Sequence, residues 1–307
     1  MQQATLLQGP THASHMLIVT DLLDWYRLHG RHSLPWRRDR EPYHVLVSEL
    51  MLQQTQVSRV IPKYEAFLVR FPTIRDLANA PRSSVLRAWQ GLGYNSRAIR
   101  LHELAKRIDA AGGRFPIGRD ELLALPGIGP YTAGAIRIFA YDEPDLSIDV
   151  NVRRVLSRLA WSPRARPTPA AIDALAIALI RTSRRPHDWH SALMDLGSTI
   201  CVARSPICGA CPLRASCKNR GARPDERHAR SSRVTAPFLG SNRWWRGRVL
   251  ALLLAGSRQE HQLARLVLDD EPDRAQRAAC GDALASLITD GIVRKTNGGR
   301  IILQEAR

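Results

Sequence analysis

The stretch Leu125-Pro126-Gly127-Ile128-Gly129-Pro130-Tyr131-Thr132-Ala133-Gly134, with Ile148-Asp149-Val150-Asn151-Val152-Arg153-Arg154-Val155 shortly after it, decides how the rest of the chain is read. The first half reads as a hairpin between two helices, with Gly127 and Gly129 leaving backbone N–H groups bare. A helix N-terminus behind such a turn offers unpaired N–H donors and about half a positive charge, which suits a phosphate. A Gly-x-Gly pair alone is weak evidence, because any helix–helix turn can contain one; its place directly before an apolar helix strengthens it. The second half reads as a helix start with Asp149 as N-cap. As a plain cap it contributes about 1 kcal/mol, and accepting backbone N–H bonds favours the ionised form. Asn151 is either an orienting hydrogen-bond partner for Asp149 or a solvated first-turn residue. A phosphate clamp and an ionised carboxylate on consecutive elements point to an enzyme acting on a nucleotide of DNA.

Charge supports a polyanionic partner. The 307 residues hold 45 Lys plus Arg against 28 Asp plus Glu, a net of +17. Lysine occurs only at 63, 106, 218 and 295, so the excess is mostly Arg, whose planar fork matches phosphate oxygens. The plainer alternative is a soluble chain from an Arg-favouring genome. The length permits one large domain or two. No run of 18 apolar residues is present, which excludes a spanning helix. Residues 1–16 lack the charged start and apolar centre of a signal peptide and read as a disordered leader. Four clustered cysteines plus Cys280 argue against a secreted disulfide framework, so the expected compartment is the cytoplasm, at the nucleoid of a bacterial-type cell.

Along the chain, Leu17 to Leu28 has helical apolar spacing and Leu34-Pro35-Trp36-Arg37 a turn. Tyr43 to Val57 is too long for one strand and too apolar for a surface helix, and reads as a buried helix. Glu49 inside it has two readings. It faces water, or it is an acid with raised pKa in an apolar pocket, where a carboxylate costs several kcal/mol unless paired or protonated. Helices alternate with breaks from Lys63 to Gly113. Gly91-Leu92-Gly93-Tyr94-Asn95-Ser96-Arg97 is a tight loop presenting Leu92 and Tyr94, either to wedge between bases at about a few kcal/mol per unstacked step or to pack on the core. A helix ends over Glu121 to Leu125, and others cover Tyr131 to Tyr141 and Val150 to Ala160. Further helices run to Met194-Asp195-Leu196-Gly197.

Cys201, Cys208, Cys211 and Cys217 follow with spacing C-x6-C-x2-C-x5-C. Structural zinc usually uses two C-x2-C-like pairs, whereas the outer gaps here are wide, which favours iron–sulfur ligation. Residues 219–242, rich in Arg, Ser and Pro, read as a linker. Helical patterns over 243–255, 259–268 and 272–290 precede a hairpin around Asn297-Gly298-Gly299. This is a winged-helix order, which serves DNA binding or packing equally.

Taken in order, Leu34-Pro35-Trp36, Ser48-Glu49-Leu50-Met51-Leu52-Gln53-Gln54-Thr55-Gln56-Val57, Gly91-Leu92-Gly93-Tyr94, Leu125 to Gly129, Asp149 with Asn151, Met194 to Gly197 and the four cysteines resemble the helix–hairpin–helix base-excision glycosylases, most closely the MutY-type adenine DNA glycosylases. The resemblance covers about Leu17 to Cys217. It implies a mainly α, two-lobed helical fold over 17–218 with a 4Fe–4S loop at 201–217; the small winged-helix-like α+β domain over 243–307 is read from the helix and hairpin pattern and departs from the Nudix-like domain that the family usually appends. It further implies a monomer that flips adenine, mispaired with 8-oxoguanine, out of double-stranded DNA and hydrolyses its N-glycosidic bond. On that resemblance Glu49 protonates the leaving base and Asp149 stabilises the sugar cation. Asn151 assists, and Trp36, Leu52 and Asp195 line the substrate pocket. Gln53, Gln54, Thr55, Leu92 and Tyr94 meet the strand opposite, Gly127 and Gly129 hold a phosphate, and the four cysteines hold one 4Fe–4S cluster. Tyr131 stands where bifunctional relatives carry a Schiff-base Lys, which implies a monofunctional enzyme. Val150 and Asn95 depart from the family pattern, and no Nudix-like loop is recognisable in the tail. Two rivals stand beside this reading: a glycosylase for thymine or uracil, and a non-catalytic iron–sulfur DNA-binding regulator.

Overall fold

The computed structural model describes residues 12–221 and 237–304. The helices are α1 (His12–His29), α2 (Pro35–Arg38), α3 (Pro42–Leu52), α4 (Val57–Arg70), α5 (Ile74–Asn79), α6 (Arg82–Trp89) and α7 (Ser96–Ala110). Next come α8 (Arg119–Leu123), α9 (Pro130–Tyr141), α10 (Val150–Ala160), α11 (Pro169–Ser183) and α12 (Pro186–Thr199). The C-terminal segment holds α13 (Asn242–Ala255), β1 (Arg258–Gln259), α14 (Leu263–Leu268), α15 (Arg274–Thr289), β2 (Val293–Lys295) and β3 (Arg300–Leu303). No helix among the described residues is long and apolar enough to cross a membrane.

The chain divides into two compact units. The first takes residues 12–45, 117–124 and 128–221. Its core places Ile18, Val19 and Leu22 of α1 with Leu179 of α11 and Trp189, Leu193 and Leu196 of α12, all buried. Each such side chain contributes about 1.5–3 kcal/mol by leaving water. α1 starts at His12, five residues before the expected Leu17, so residues 12–16 are helix rather than leader. No Pro or Gly stands between His12 and Leu17 to stop the helix there. Residues 1–11 lie outside the described residues.

The second unit takes 46–116, 125–127 and 237–304. Its first part packs Phe67 edge-on against Trp89 (6.0 Å) and Phe71 (5.0 Å). Thr73 and Asp76 exchange capping bonds at the start of α5. In the C-terminal segment Trp245, Val249 and Leu253 of α13 share a core with Ala283, Leu284 and Leu287 of α15. An antiparallel sheet ordered β1-β3-β2 lies beside them. The expected hairpin and three helices are present. The second helix is shorter than its pattern, because Arg258 and Gln259 pair with β3 as a strand. Two buried-side contacts fasten this segment to α6: Arg82 Nη1 donates to the Gln304 carbonyl (3.2 Å), and Arg87 donates to the Leu254 carbonyl. Most of the stretch read as a linker lies outside the described residues; Ser241 at its end caps α13.

Candidate active site

In the first unit the Asp149 carboxylate is the N-cap of α10. Its Oδ1 accepts from the backbone N–H of Asn151 (2.9 Å) and Val152 (2.7 Å), and its Oδ2 from Asn151 Nδ2 (2.8 Å). Asn151 is therefore an orienting partner rather than a solvated residue. Its own Oδ1 accepts from Arg154 Nη2 (2.8 Å), one helical turn on. Arg154 also donates to the Gly197 carbonyl (2.6 Å) and, through Nε, to the Cys201 carbonyl (2.8 Å). A continuous hydrogen-bond path thus joins the carboxylate to the first cysteine of the loop. A Cβ on Gly197 would stand 2.9 Å from the Asn151 Cβ, so only glycine lets α12 pass this helix start.

The strand-like approach to Asp149 is fixed from three directions. Asp145 pairs with Arg137 (2.7 Å) and Arg119. The Leu146 carbonyl lies where a Cβ on Gly134 would be, at 1.8 Å. Behind it His190 is fully enclosed, its ring edge-on to Phe139 at 5.6 Å. Burial lowers its pKa to about 4, against the pull of the Asp149 charge and the Ser147 backbone. The hairpin itself turns through Gly127, at φ +82°, into Gly129, the N-cap of α9, with Pro130 as first helical residue. Tyr131, next along, is half-buried.

The cysteine loop is sewn to α10. Arg158 donates to the carbonyls of Val202 (2.8 Å) and Ala203 (2.9 Å), and the Cys217 thiol donates to the Arg158 carbonyl (3.3 Å). All four thiols are half-buried and unbridged. Burial pushes the Cys211 thiol up to about 11.

In the second unit Glu49 is 6% exposed on α3 among buried Leu46, Val47, Leu50 and Met51, which removes the water-facing reading. The helix expected to reach Val57 stops at Leu52. The cause is Arg97, 3% exposed, whose Nη1 takes the carbonyls of Leu50 (2.6 Å), Met51 (3.2 Å) and Gln53 (2.6 Å). Its Nη2 takes Thr55 Oγ1 (3.3 Å) and the carbonyls of Leu92 (3.2 Å) and Gly93 (3.1 Å). One guanidinium so ties the end of α3 to the Gly91–Asn95 loop, with Trp89 and Tyr94 rings on it at 5.6 and 5.5 Å. Gln54 (φ +54°) and Tyr94 (φ +48°) are both held left-handed, a costly state for side-chain-bearing residues and one found at functional sites. Gln53 and Gln54 are exposed, and Thr55 and Leu52 half-buried.

Leu92 is 4% exposed and Tyr94 42%, so Tyr94 is the exposed apolar group of this loop. Asp195, at 1% exposure, accepts from the Arg31 backbone N–H (2.9 Å), from Arg31 Nε (2.7 Å) and from Arg37 Nη2 (3.1 Å). A buried carboxylate is tolerable when paired in this way, and it anchors the segment around buried Trp36. Arg154 could have been found from its i+3 spacing to Asn151. Nothing local marks Arg97 among the many arginines.

Three comparisons place this geometry. A family model described as HhH-GPD superfamily base excision DNA repair protein matches residues 47–181. An adenine DNA glycosylase of Mycolicibacterium smegmatis is 42% identical over 285 residues, spanning 92% of this chain and 94% of the relative. The chain belongs to the adenine DNA glycosylase family. A second family member, from Mycobacterium tuberculosis, is 38% identical over 302 residues, 96% of this chain and 95% of its own, so the likeness extends into the C-terminal segment. Among solved structures, a thermostable thymine-DNA glycosylase superposes with TM-score 0.61 at 29% identity, covering 68% of this chain and 97% of its own. The family's mainly helical fold is thus the one observed here.

Proposed function

We propose that the protein is a base-excision enzyme that acts as a single chain on double-stranded DNA and hydrolyses the N-glycosidic bond of adenine mispaired with 8-oxoguanine or guanine. Adenine leaves poorly unless protonated, so the reaction needs a buried acid to donate a proton. Glu49, buried on α3, is the donor. As the bond breaks the sugar gains positive charge, and Asp149 stabilises it. A carboxylate about 4 Å from a unit cation at an effective dielectric near 20 contributes roughly 4 kcal/mol, about a thousandfold in rate. The observation that carries the reading is the triply bonded Asp149: three N–H donors keep this carboxylate in one orientation.

Tyr131 offers no amine at the start of α9, so the product is an abasic site and the strand stays uncut. Gly127 and Gly129 present bare N–H groups to a phosphate. Gln54 and Tyr94 meet the strand that keeps its base. Cys201, Cys208, Cys211 and Cys217 hold one 4Fe–4S cluster. In support, the Cys201 and Cys217 sulfurs both lie against Arg158 of α10. A cluster held there would give this loop a rigid centre, and Arg154 and Arg158 tie the loop's carbonyls to α10.

Single-turnover excision on 8-oxoguanine:adenine, guanine:adenine and guanine:thymine duplexes tests the reading, with wild type, Glu49→Gln and Asp149→Asn. Adenine release by wild type, lost in both variants while duplex binding persists, is expected. Thymine release instead would favour the activity named for the structural relative. A borohydride-trapped covalent adduct would overturn the hydrolytic assignment.

A further inference from the structure

Behind Asp149 lies a buried polar pair that the catalytic reading does not use. Ser147, two residues before Asp149, is wholly enclosed, and its hydroxyl has no hydrogen-bond partner among the described residues. His190 of α12 is 4% exposed and edge-on to Phe139, and its Nε2 is likewise without a partner among them. Both residues line one small cavity of the first unit, closed by Val152, Ile180, Trp189 and Leu193. The space open to the centre of a water molecule is about 10 Å³, about the least that holds one water.

Buried polar groups are nearly always hydrogen-bonded, so what these two atoms can give and take defines their partner. The Ser147 backbone accepts from the His190 ring. With Nε2 unpartnered, the nitrogen in that bond is Nδ1, which therefore carries the ring proton. Burial keeps the ring neutral, so Nε2 presents a lone pair and needs a donor. The Ser147 hydroxyl has a proton to give, but the two atoms are not bonded to each other. The missing partner must donate to Nε2, accept from the serine, fit the cavity and bring no charge against Val152, Ile180 and Leu193. Water meets all four conditions. The position matters for Asp149. The approach is fixed up to Leu146 by the Asp145 ion pairs and the close pass of Gly134, and beyond Asp149 by the α10 cap. Ser147 and Ile148 are the links between.

We infer that one buried water joins Ser147 Oγ to His190 Nε2, and that His190 is a positioning residue. Through this water and the Ser147 carbonyl it holds residues 147–148, and so keeps the Asp149 carboxylate where the sugar charge develops. The positioning role rests on the glycosylase reading of Asp149.

The test uses the full chain as wild type, His190→Gln, His190→Phe and Ser147→Ala, each checked for native thermal unfolding. Nitrogen-15 histidine spectra should show His190 protonated at Nδ1 with Nε2 accepting a hydrogen bond. A crystal structure should show one water within hydrogen-bond distance of Ser147 Oγ and His190 Nε2. In single-turnover excision on the 8-oxoguanine:adenine duplex, His190→Phe should be slower by about tenfold or more and Ser147→Ala by about threefold. Affinity for a duplex carrying a non-hydrolysable adenosine analogue should not change. His190→Gln, whose amide both donates and accepts, should recover most of the rate. A ring that only fills space predicts the reverse, with His190→Phe active and His190→Gln impaired. That pattern, a proton on Nε2 or a dry cavity would overturn the inference. A wild type that releases no adenine would strike the glycosylase reading instead, with the spectra and the crystal structure still deciding the water site.

Discussion

Replacing Arg97 by methionine keeps the length and apolar bulk of the side chain while deleting its guanidinium. Six acceptors then lose this donor, the carbonyls of Leu50, Met51, Gln53, Leu92 and Gly93, and Thr55 Oγ1, although the Gly93 carbonyl keeps Trp89 Nε1 and the Gln53 carbonyl keeps the Thr55 hydroxyl. A hydrogen bond to a charged group contributes about 1.5–3 kcal/mol, and a buried carbonyl left without a donor costs about 1–3 kcal/mol. A simple sum would exceed the 5–15 kcal/mol or so that holds a typical protein folded. The loops will instead open and let water reach the carbonyls, leaving a loss of roughly 3–5 kcal/mol, as for other broken buried charge networks. Burial draws the Arg97 pKa down to about 10, so the group remains charged at neutral pH and the whole network is present there. Once the loops open, Gln54 and Tyr94 shed their left-handed backbone, about 1–2 kcal/mol each, and lose their aim. Urea unfolding should show the stability loss, and duplex binding should weaken at least tenfold. Arg97→Lys, with a compact charge and three donors, should fall between. A methionine variant within about 0.5 kcal/mol of wild type, binding duplex normally, would refute the argument.

Three further changes probe the Asp149 side. Arg154→Met cuts the path from Asn151 to the Gly197 and Cys201 carbonyls; single-turnover adenine excision should fall by about tenfold or more, with a stability loss of about 2–3 kcal/mol in urea. Gly134→Ala drives a methyl into the Leu146 carbonyl, so unfolding should come at least about 3 kcal/mol sooner, at the upper end of overpacking costs, and excision should drop with it. His190 has a folded pKa of about 4 against 6.5 when unfolded, so it stays neutral in the fold while the unfolded chain takes up the proton. Its contribution is whole above pH 6.5 and lost as pH falls toward 4, roughly 3 kcal/mol over that span. Urea midpoints of His190→Phe, which keeps a ring against Phe139, should therefore decline less than wild type between pH 7 and 4.

Much of the fold was legible because its signals are local. The α10 boundaries and the Asp149 cap follow from one carboxylate before an amphipathic run, and the hairpin from glycines beside Pro130. The wing was readable from alternation around Asn297-Gly298-Gly299. Side-chain surroundings were not legible: Leu92 is almost wholly buried, and Asp195 is held by Arg31 and Arg37 far away in sequence.

The sequence by itself determined which chemical groups stand at helix starts and turns, because a cap, a left-handed glycine or a cysteine spacing is written within one or two turns of chain. Only the tertiary structure decided what holds them. Arg97 and Arg154 each find acceptors more than 40 residues away, and the C-terminal segment joins the unit that carries Glu49 through carbonyls offered to Arg82 and Arg87. Every carbonyl is chemically alike in sequence; packing alone selects which of them a buried guanidinium will meet.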